Sequence, residues 1–429
     1  MKKWQVAFGF LAISLLIGTG FLLKPIFEGM AKAEGDRENS IPTLRLYLDG
    51  VNLDGIKAGD KETKYEGNRL VVDEKNDDLE FDDVQIKGRG NSTWGLPKSP
   101  FQIKFKQKVD LFGLGKRKKY VLLANYIDRS FMRNDIMFKL VEMVDSRYRS
   151  QGEFVELYVD DDYQGLYYLT TKIELGKSGI DIRDNYAGIF ELDTLHEYSE
   201  DCYYTNAREC LLLEDAVFAD DEVMAKEIMN DFVEQFNLLE KVAKKRDYEE
   251  ILKVIDVESF AEYFLISEFA VNPDAYSSSF KFYKKGLDDK IYAGPLWDFD
   301  YAFSNFSWIW SNNDDFYSPE IFMAQRGDVF ANDYSSGAGR LMYYLMEISE
   351  FEEEVARIWR EELSGRKDEL LIHISNRVEY IREAALRDEA KWREETLFEE
   401  EVEYLSDWVS RRYDFFEQRY GKEGAGTVL

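Results

Sequence analysis

The sequence predicts an α+β fold with its strands gathered in the first half of the folded part and its helices in the second. Period-two alternation of apolar and polar residues recurs between Thr43 and Leu192. Three- and four-residue apolar spacing takes over in the C-terminal third. With 429 residues, 45% hydrophobic and 32% charged, the chain can bury two or three cores. Aromatic residues make up 15%, and such residues more often form core and interface than a cofactor box.

Charge narrows the partners. The formal net charge of −29 repels nucleic acid and anionic membrane surfaces except at a local basic patch. At the N-terminus, Lys2 and Lys3 precede an apolar run from Trp4 to Leu23, closed by Lys24-Pro25. Residues 1–33 read as a signal peptide, with Ala31-Lys32-Ala33 as a cleavage site, or as a retained membrane anchor, because the run is long enough to span a bilayer. Either reading places the folded part outside the cytoplasm, exported or at the cell surface. Cys202 and Cys210 fit one short-loop disulfide or two free thiols. His196 and His373 are the only histidines, which argues against Ser-His-Asp, Cys-His and zinc-peptidase chemistry and leaves carboxylates, lysines and arginines.

Taken in order, Thr43–Leu48 alternates into the Asp49-Gly50 turn, and strands follow at Leu70–Val72 and Phe81–Ile86. Between the last of these and the strand Phe101–Phe105 lies Gly88-Arg89-Gly90-Asn91-Ser92-Thr93-Trp94. Glycines two apart, with Arg and hydroxyl or amide side chains between strands, form a loop whose donors suit an anion. Residues 87–119 hold ten Lys or Arg and one acid, Asp110. A basic island in an acidic chain suits a phosphate-sized anion, although a solvated basic hairpin has the same composition.

Asn125-Tyr126-Ile127-Asp128-Arg129-Ser130 precedes a helix with Met132, Ile136, Leu140, Met143 and Val144 on one face, capped by Asp128 or Ser130. Arg133 and Asn134 sit at its start. A hairpin over Glu153–Glu174 and a strand at Gly188–Leu192 complete the β-rich region. Residues 220–256 read as charged helix, and Glu258–Val271 as a helix apolar on most sides, hence buried. It stops at Asn272-Pro273-Asp274, which leaves Asp274 in the loop beyond. The ribbon Phe280–Lys284 with Ile291–Ala293 then leads to Gly294-Pro295-Leu296-Trp297-Asp298-Phe299-Asp300. Two carboxylates one residue apart at a strand end repel each other unless a cation or solvent intervenes, so the pair suits a divalent metal carried with a phosphate; a solvated turn is the plainer reading. Trp308, Trp310 and Phe316 read as an exposed loop, and the chain from about Gly339 to Tyr420 as helix with a solvated charged face.

Glycine loop between two strands, lysine on the second strand, helix, antiparallel strands, buried helix, loop aspartate, hairpin, metal-type aspartate: this is the order of parts in a protein-kinase fold. His-Arg-Asp is missing, and Asp298-Phe299-Asp300 stands where Asp-Phe-Gly is usual. The residues resemble the CotH kinase family, named for spore coat protein H, which has a divergent, atypical kinase fold. The resemblance rests on Ile86–Trp94 with Pro97-Lys98 and Ile103-Lys104, on Asn125–Ser130 with Arg133-Asn134, and on Val155–Tyr158 with Tyr163-Gln164-Gly165. It continues through Asn272-Pro273-Asp274 and Gly294–Asp300, covering roughly residues 41–420. The organisation expected is a linker at 34–40, a β-rich N-lobe at 41–192, a mainly helical C-lobe at 193–420 and a tail at 421–429.

The resemblance implies ATP-dependent phosphoryl transfer, with Mg2+ or Mn2+, to Ser or Thr hydroxyls of a protein such as a spore coat or surface protein. It gives Asp274 the part of orienting or deprotonating the hydroxyl, and Asp298, helped by Asp300, that of metal ligand. Lys104 would neutralise phosphate charge, Gly88, Arg89, Gly90, Asn91 and Ser92 would cover the phosphates, and Arg133 and Asn134 would lie near them. Ser279 stands where a typical kinase carries a metal-binding Asn five residues after the catalytic Asp, which puts a second metal site in doubt. Two other classes stay open: a catalytically weak or inactive kinase-fold module for coat or surface assembly, and a carboxylate hydrolase using Asp274 with Asp298 or Asp300.

Overall fold

The computed structural model describes residues 40–74, 77–193, 201–276, 278–305, 318–323 and 337–422. The expectations for the N-terminal segment (1–33), most of the linker, His196, the aromatic loop at Trp308, Trp310 and Phe316, and most of the tail lie outside these residues.

The first part is a closed barrel. It comprises β1 (Thr43–Tyr47), β2 (Tyr65–Glu74), β3 (Asp77–Gly88), β4 (Phe101–Val109), β5 (Arg117–Leu123), β6 (Gly152–Val159) and β7 (Asp162–Thr171). Short helix α1 (Leu53–Ala58) joins β1 to β2, with Asn52 as its N-cap, and α2 (Arg133–Met143) joins β5 to β6. Strand order is β1-β2-β3-β4-β5-β7-β6, closed by parallel pairing of β1 with β6. Closure follows from alternation: Leu44, Leu70, Ile86, Ile103, Tyr120 and Leu157 turn into one shared core, and no strand edge is left to cover.

A second sheet has the order β12-β11-β8-β10-β9, built from β8 (Gly188–Leu192), β9 (Tyr203–Tyr204), β10 (Cys210–Ala216), β11 (Phe280–Lys284) and β12 (Tyr292–Ala293). One face carries Phe190, Leu192, Leu211, Phe280 and Phe282 into a larger core shared with the helices. These are α3 (Glu222–Lys245), α4 (Tyr248–Val254), α5 (Val257–Ala270), α6 (Gly337–Met346), α7 (Ser349–Ile358), α8 (Lys367–Trp392) and α9 (Phe398–Tyr420). Cys202 and Cys210 form a disulfide across the β9–β10 turn. Among the described residues no helix is long and apolar enough to cross a membrane.

One boundary and one helix face differ from expectation. Strand β8 belongs not to the barrel but to the second sheet, where it pairs with β10 and β11, so the barrel ends near residue 171 rather than 192. Helix α2, expected to bury one stripe, buries Arg133, Asn134 and Asp135 as well as Ile136, Leu140 and Met143. The cause is a polar neighbour on its second side: Asp135 accepts from Arg377 of α8 at 3.2 Å and from Tyr168 at 3.1 Å, and lies 2.6 Å from His373.

Candidate active site

Helix α5 is buried nearly all round, as its composition requires, and ends where Val271 adopts a left-handed conformation (φ 47°). The next residue ties two loops together. Asn272 accepts from the Asp274 amide at 3.2 Å and donates to the Asp298 carbonyl at 3.2 Å, so one amide side chain sets the spacing of both acidic segments. Ser279 donates to Asp298 Oδ2 at 3.4 Å. Both Ser279 (φ 61°) and Asp298 (φ 64°) hold left-handed backbone, an uncommon state for residues with a Cβ that persists only where surroundings over-determine it.

Asp300 is fixed from the other side. Asn134 donates to its carboxylate and accepts from the Phe299 amide at 3.1 Å, while Asn305 donates to the Asp300 carbonyl at 2.6 Å. Asp274, Asp298 and Asp300 thus converge in one recess, near enough to feel one another electrostatically. Desolvation first, then Asp298 and Asp193, pushes Asp274 up to about 7. Desolvation and Asp298 push Asp300 up to about 8. Asp298 is also raised by desolvation, against the pull of Arg89 and Lys281. Carboxyls held above their ordinary range in a recess are poised for proton transfer or for a cation.

The glycine loop lies over this recess. The Arg89 guanidinium sits 5.0 Å from the centre of the Trp297 ring, and the Ser92 side chain bonds Tyr301. Gly90 is required: its φ is +79°, and a Cβ there would come 2.1 Å from Thr93 Oγ1. A Cβ on Gly88 would meet the Trp94 ring at 2.7 Å. Asn91 turns to Lys61, which donates to it.

Arg133, Asn134 and Lys104 differ in their surroundings. Arg133 is wholly buried: its guanidinium donates to Asp128, to Ser130 Oγ at 3.0 Å and to the Ala302 carbonyl at 3.0 Å. With its donors turned inward it fastens the Asp128 loop to the segment after Asp300. Asn134 likewise serves the Phe299-Asp300 backbone and side chain. Lys104 lies on the outer barrel wall, paired across strands with Gln85 and Lys119, and makes no ion pair among the described residues. Asp298 lies in the field of Arg89 and Lys281.

Two motif fragments prove to be fasteners. Lys98 forms a buried ion pair with Asp388 of α8 and donates to the Leu166 carbonyl at 2.5 Å. Asp388 also accepts from the Leu166 amide at 2.7 Å, and a Cβ on Gly165 would lie 2.1 Å from its carboxylate. Pro97-Lys98 and Gln164-Gly165 therefore clamp the barrel to the longest helix. Sequence reasoning missed Lys281, Glu191, Glu214 and Lys172, which gather beside the glycine loop. A usable signal was present in Phe280-Lys281-Phe282 and Phe190-Glu191-Leu192, where one charge stands between two core-facing residues on each of two strands.

Barrel, second sheet and helices define an α+β protein in which Asp274, Asp298 and Asp300 lie within electrostatic reach of one another beside a glycine loop. The profile of the CotH kinase protein family matches residues 86–416, so the chain belongs to that family. Membership points to a protein-kinase-like phosphotransferase and, with it, to ATP, a divalent metal and a protein substrate. No curated protein sequence matches the chain. Among the described residues no three carboxylate, imidazole or thiolate side chains stand close enough to hold an ion by themselves.

Proposed function

We propose that this protein is an atypical protein kinase, exported or held at the cell surface by its N-terminal segment, that transfers the γ-phosphate of ATP to a Ser or Thr hydroxyl of a coat or surface protein. The observation that carries this reading is the convergence of Asp274, Asp298 and Asp300 beneath the Arg89 loop, in a chain that belongs to the CotH kinase family. The hydroxyl oxygen bonds to the γ-phosphorus as the bond to the β-bridging oxygen breaks; its proton passes to Asp274, and ADP leaves. Asp274, held near 7, is a base matched to neutral pH. Asp298, with Asp300 beside it, would hold the divalent ion, which neutralises charge on the phosphates. Arg89 and the Gly88–Ser92 backbone close over the anion, and Asn272 keeps the base and the metal-side loop at constant separation. Phosphoryl transfer needs little covalent help, so positioning and charge carry the rate.

The test is transfer of labelled phosphate from ATP by the full-length protein, with Mg2+ or Mn2+, to itself or to an added Ser-rich protein. Label on wild type that disappears in Asp274→Ala and Asp298→Ala supports the assignment. No label, together with no nucleotide-induced rise in melting temperature, leaves a fold kept for assembly and rejects the kinase.

A further inference from the structure

In the second sheet, Phe280 and Phe282 point into the helical core, so Lys281 between them must face the opposite side, where the charge of Arg89 in the glycine loop reaches it. Glu191 stands directly across from it on β8, flanked in the same way by core-facing Phe190 and Leu192. Lys281 is 5% exposed, donates to Glu191 Oε2 at 2.6 Å and lies 3.6 Å from Glu214 Oε2. Its strand is the continuation of the turn in which Ser279 bonds the Asp298 carboxylate, and its carbonyl accepts from the Gly294 amide at 2.8 Å, four residues before Asp298. The lysine is thus anchored at the root of the Asp298 loop from both strands of the ribbon. Arg89 reaches the same place from above, over Trp297. Lys104, by contrast, stands on the barrel wall in a row with Lys119, and Lys119 is bound to Glu174 at 2.6 Å.

We propose that Lys281, held in place by Glu191, is the lysine that neutralises phosphate charge beside Asp298, in the role that chain order assigns to Lys104. The proposal rests on the phosphotransferase reading above. A lysine 5% exposed and gripped by a carboxylate is pre-oriented, so it stabilises developing charge without reorganising, whereas Lys104 has no such hold. Glu191 acts as a positioning residue. Glu214, partly open to solvent at the β10 bulge, shares the lysine with Glu191 and with the approaching anion.

The test compares Lys281→Met, Lys104→Met and Glu191→Gln in the full-length protein, reading kcat and KM for ATP and the nucleotide-induced shift in melting temperature. The double variant Lys281→Met with Glu191→Gln removes both charges together and guards against a buried, unpaired carboxylate unfolding the protein. Loss of transfer by about 10²- to 10³-fold in Lys281→Met and in the double variant, with the double variant melting near wild type, is the expected result. Lys104→Met should stay within about threefold, and Glu191→Gln should lower kcat by about tenfold more than it raises KM. A structural role alone would lower the melting temperature of the nucleotide-free protein and leave kcat per folded molecule unchanged, which overturns the proposal. Full loss in Lys104→Met with retention in Lys281→Met overturns it too, while leaving the kinase reading intact. Absence of both transfer and nucleotide stabilisation in wild type overturns both.

Discussion

Two polar knots share the segment after Asp298, and they are built on opposite rules. In the first, Asp128 accepts from the Ser130 amide at 3.0 Å, the Ser130 hydroxyl at 2.6 Å, the Arg133 amide at 2.9 Å and the Arg133 guanidinium. Every charge there has its complement, and the result is a fastener. In the second, Asp274, Asp298 and Asp300 face one another with Ser, Asn and backbone partners but too little positive charge, and all three are pushed up. The first knot spends its charges on holding the fold; the second leaves its carboxyls short of compensation. Asn134 joins the two, since its neighbour Arg133 belongs to the first and its own amide grips Asp300 in the second.

The contrast makes opposite forecasts for activity and stability. Asp298→Asn should lower phosphate transfer on the order of 10³-fold while the melting temperature of the nucleotide-free protein holds or rises, because a repelling charge is removed; a simultaneous loss of both would place Asp298 among the fasteners. Arg133→Met should do the reverse. Leaving Asp128 buried and unpaired costs about 3–5 kcal/mol by denaturant unfolding, with kcat per folded molecule little changed. If Arg133→Met instead folds normally and loses nucleotide binding, the knot has been misread.

A smaller effect follows from pH. Asp274 and Asp300 have folded pKa values of about 7 and 8, above the roughly 3.9 of an unfolded Asp. Folding therefore favours their protonated forms. That contribution is full below about pH 4 and is lost as pH rises through 7 to 8, so the melting temperature of the metal-free protein should fall by a few degrees between pH 6 and 8.5. Asp300→Asn should flatten the decline. Addition of Mg2+ with nucleotide should flatten it as well, since the cation restores the missing charge, and a slope unaltered in both arms would show that the acidic recess does not control it.

Much of this architecture was legible locally. Alternation located six of the seven barrel strands but not β5 (Arg117–Leu123), whose first half is basic, and the all-apolar stretch before Asn272-Pro273 located α5, because burial on both faces or all sides leaves its mark in composition. Asp274, Asp298 and Asp300 stood out as carboxylates at the ends of apolar elements, and the structure brings all three together. Gly90 was legible too, since a turn at positive φ rejects a side chain. Arg133 and Lys98 were not, because a buried arginine and a functional arginine look alike until the partner 169 residues away, the Ala302 carbonyl, is in view.

Chain order and residue type were therefore enough for most of the strands, though not β5, β9 and β10, and for the buried helix, the acidic segments and the family. Packing decided which side of each element looks inward, and so which of two lysines meets the acidic recess. The physical reason is that burial and alternation are local properties of the chain, whereas charge compensation depends on groups brought together from distant positions. Lys98 and Asp388, 290 residues apart, form a clamp, and Lys281 and Glu191, 90 residues apart, stand at the edge of the site.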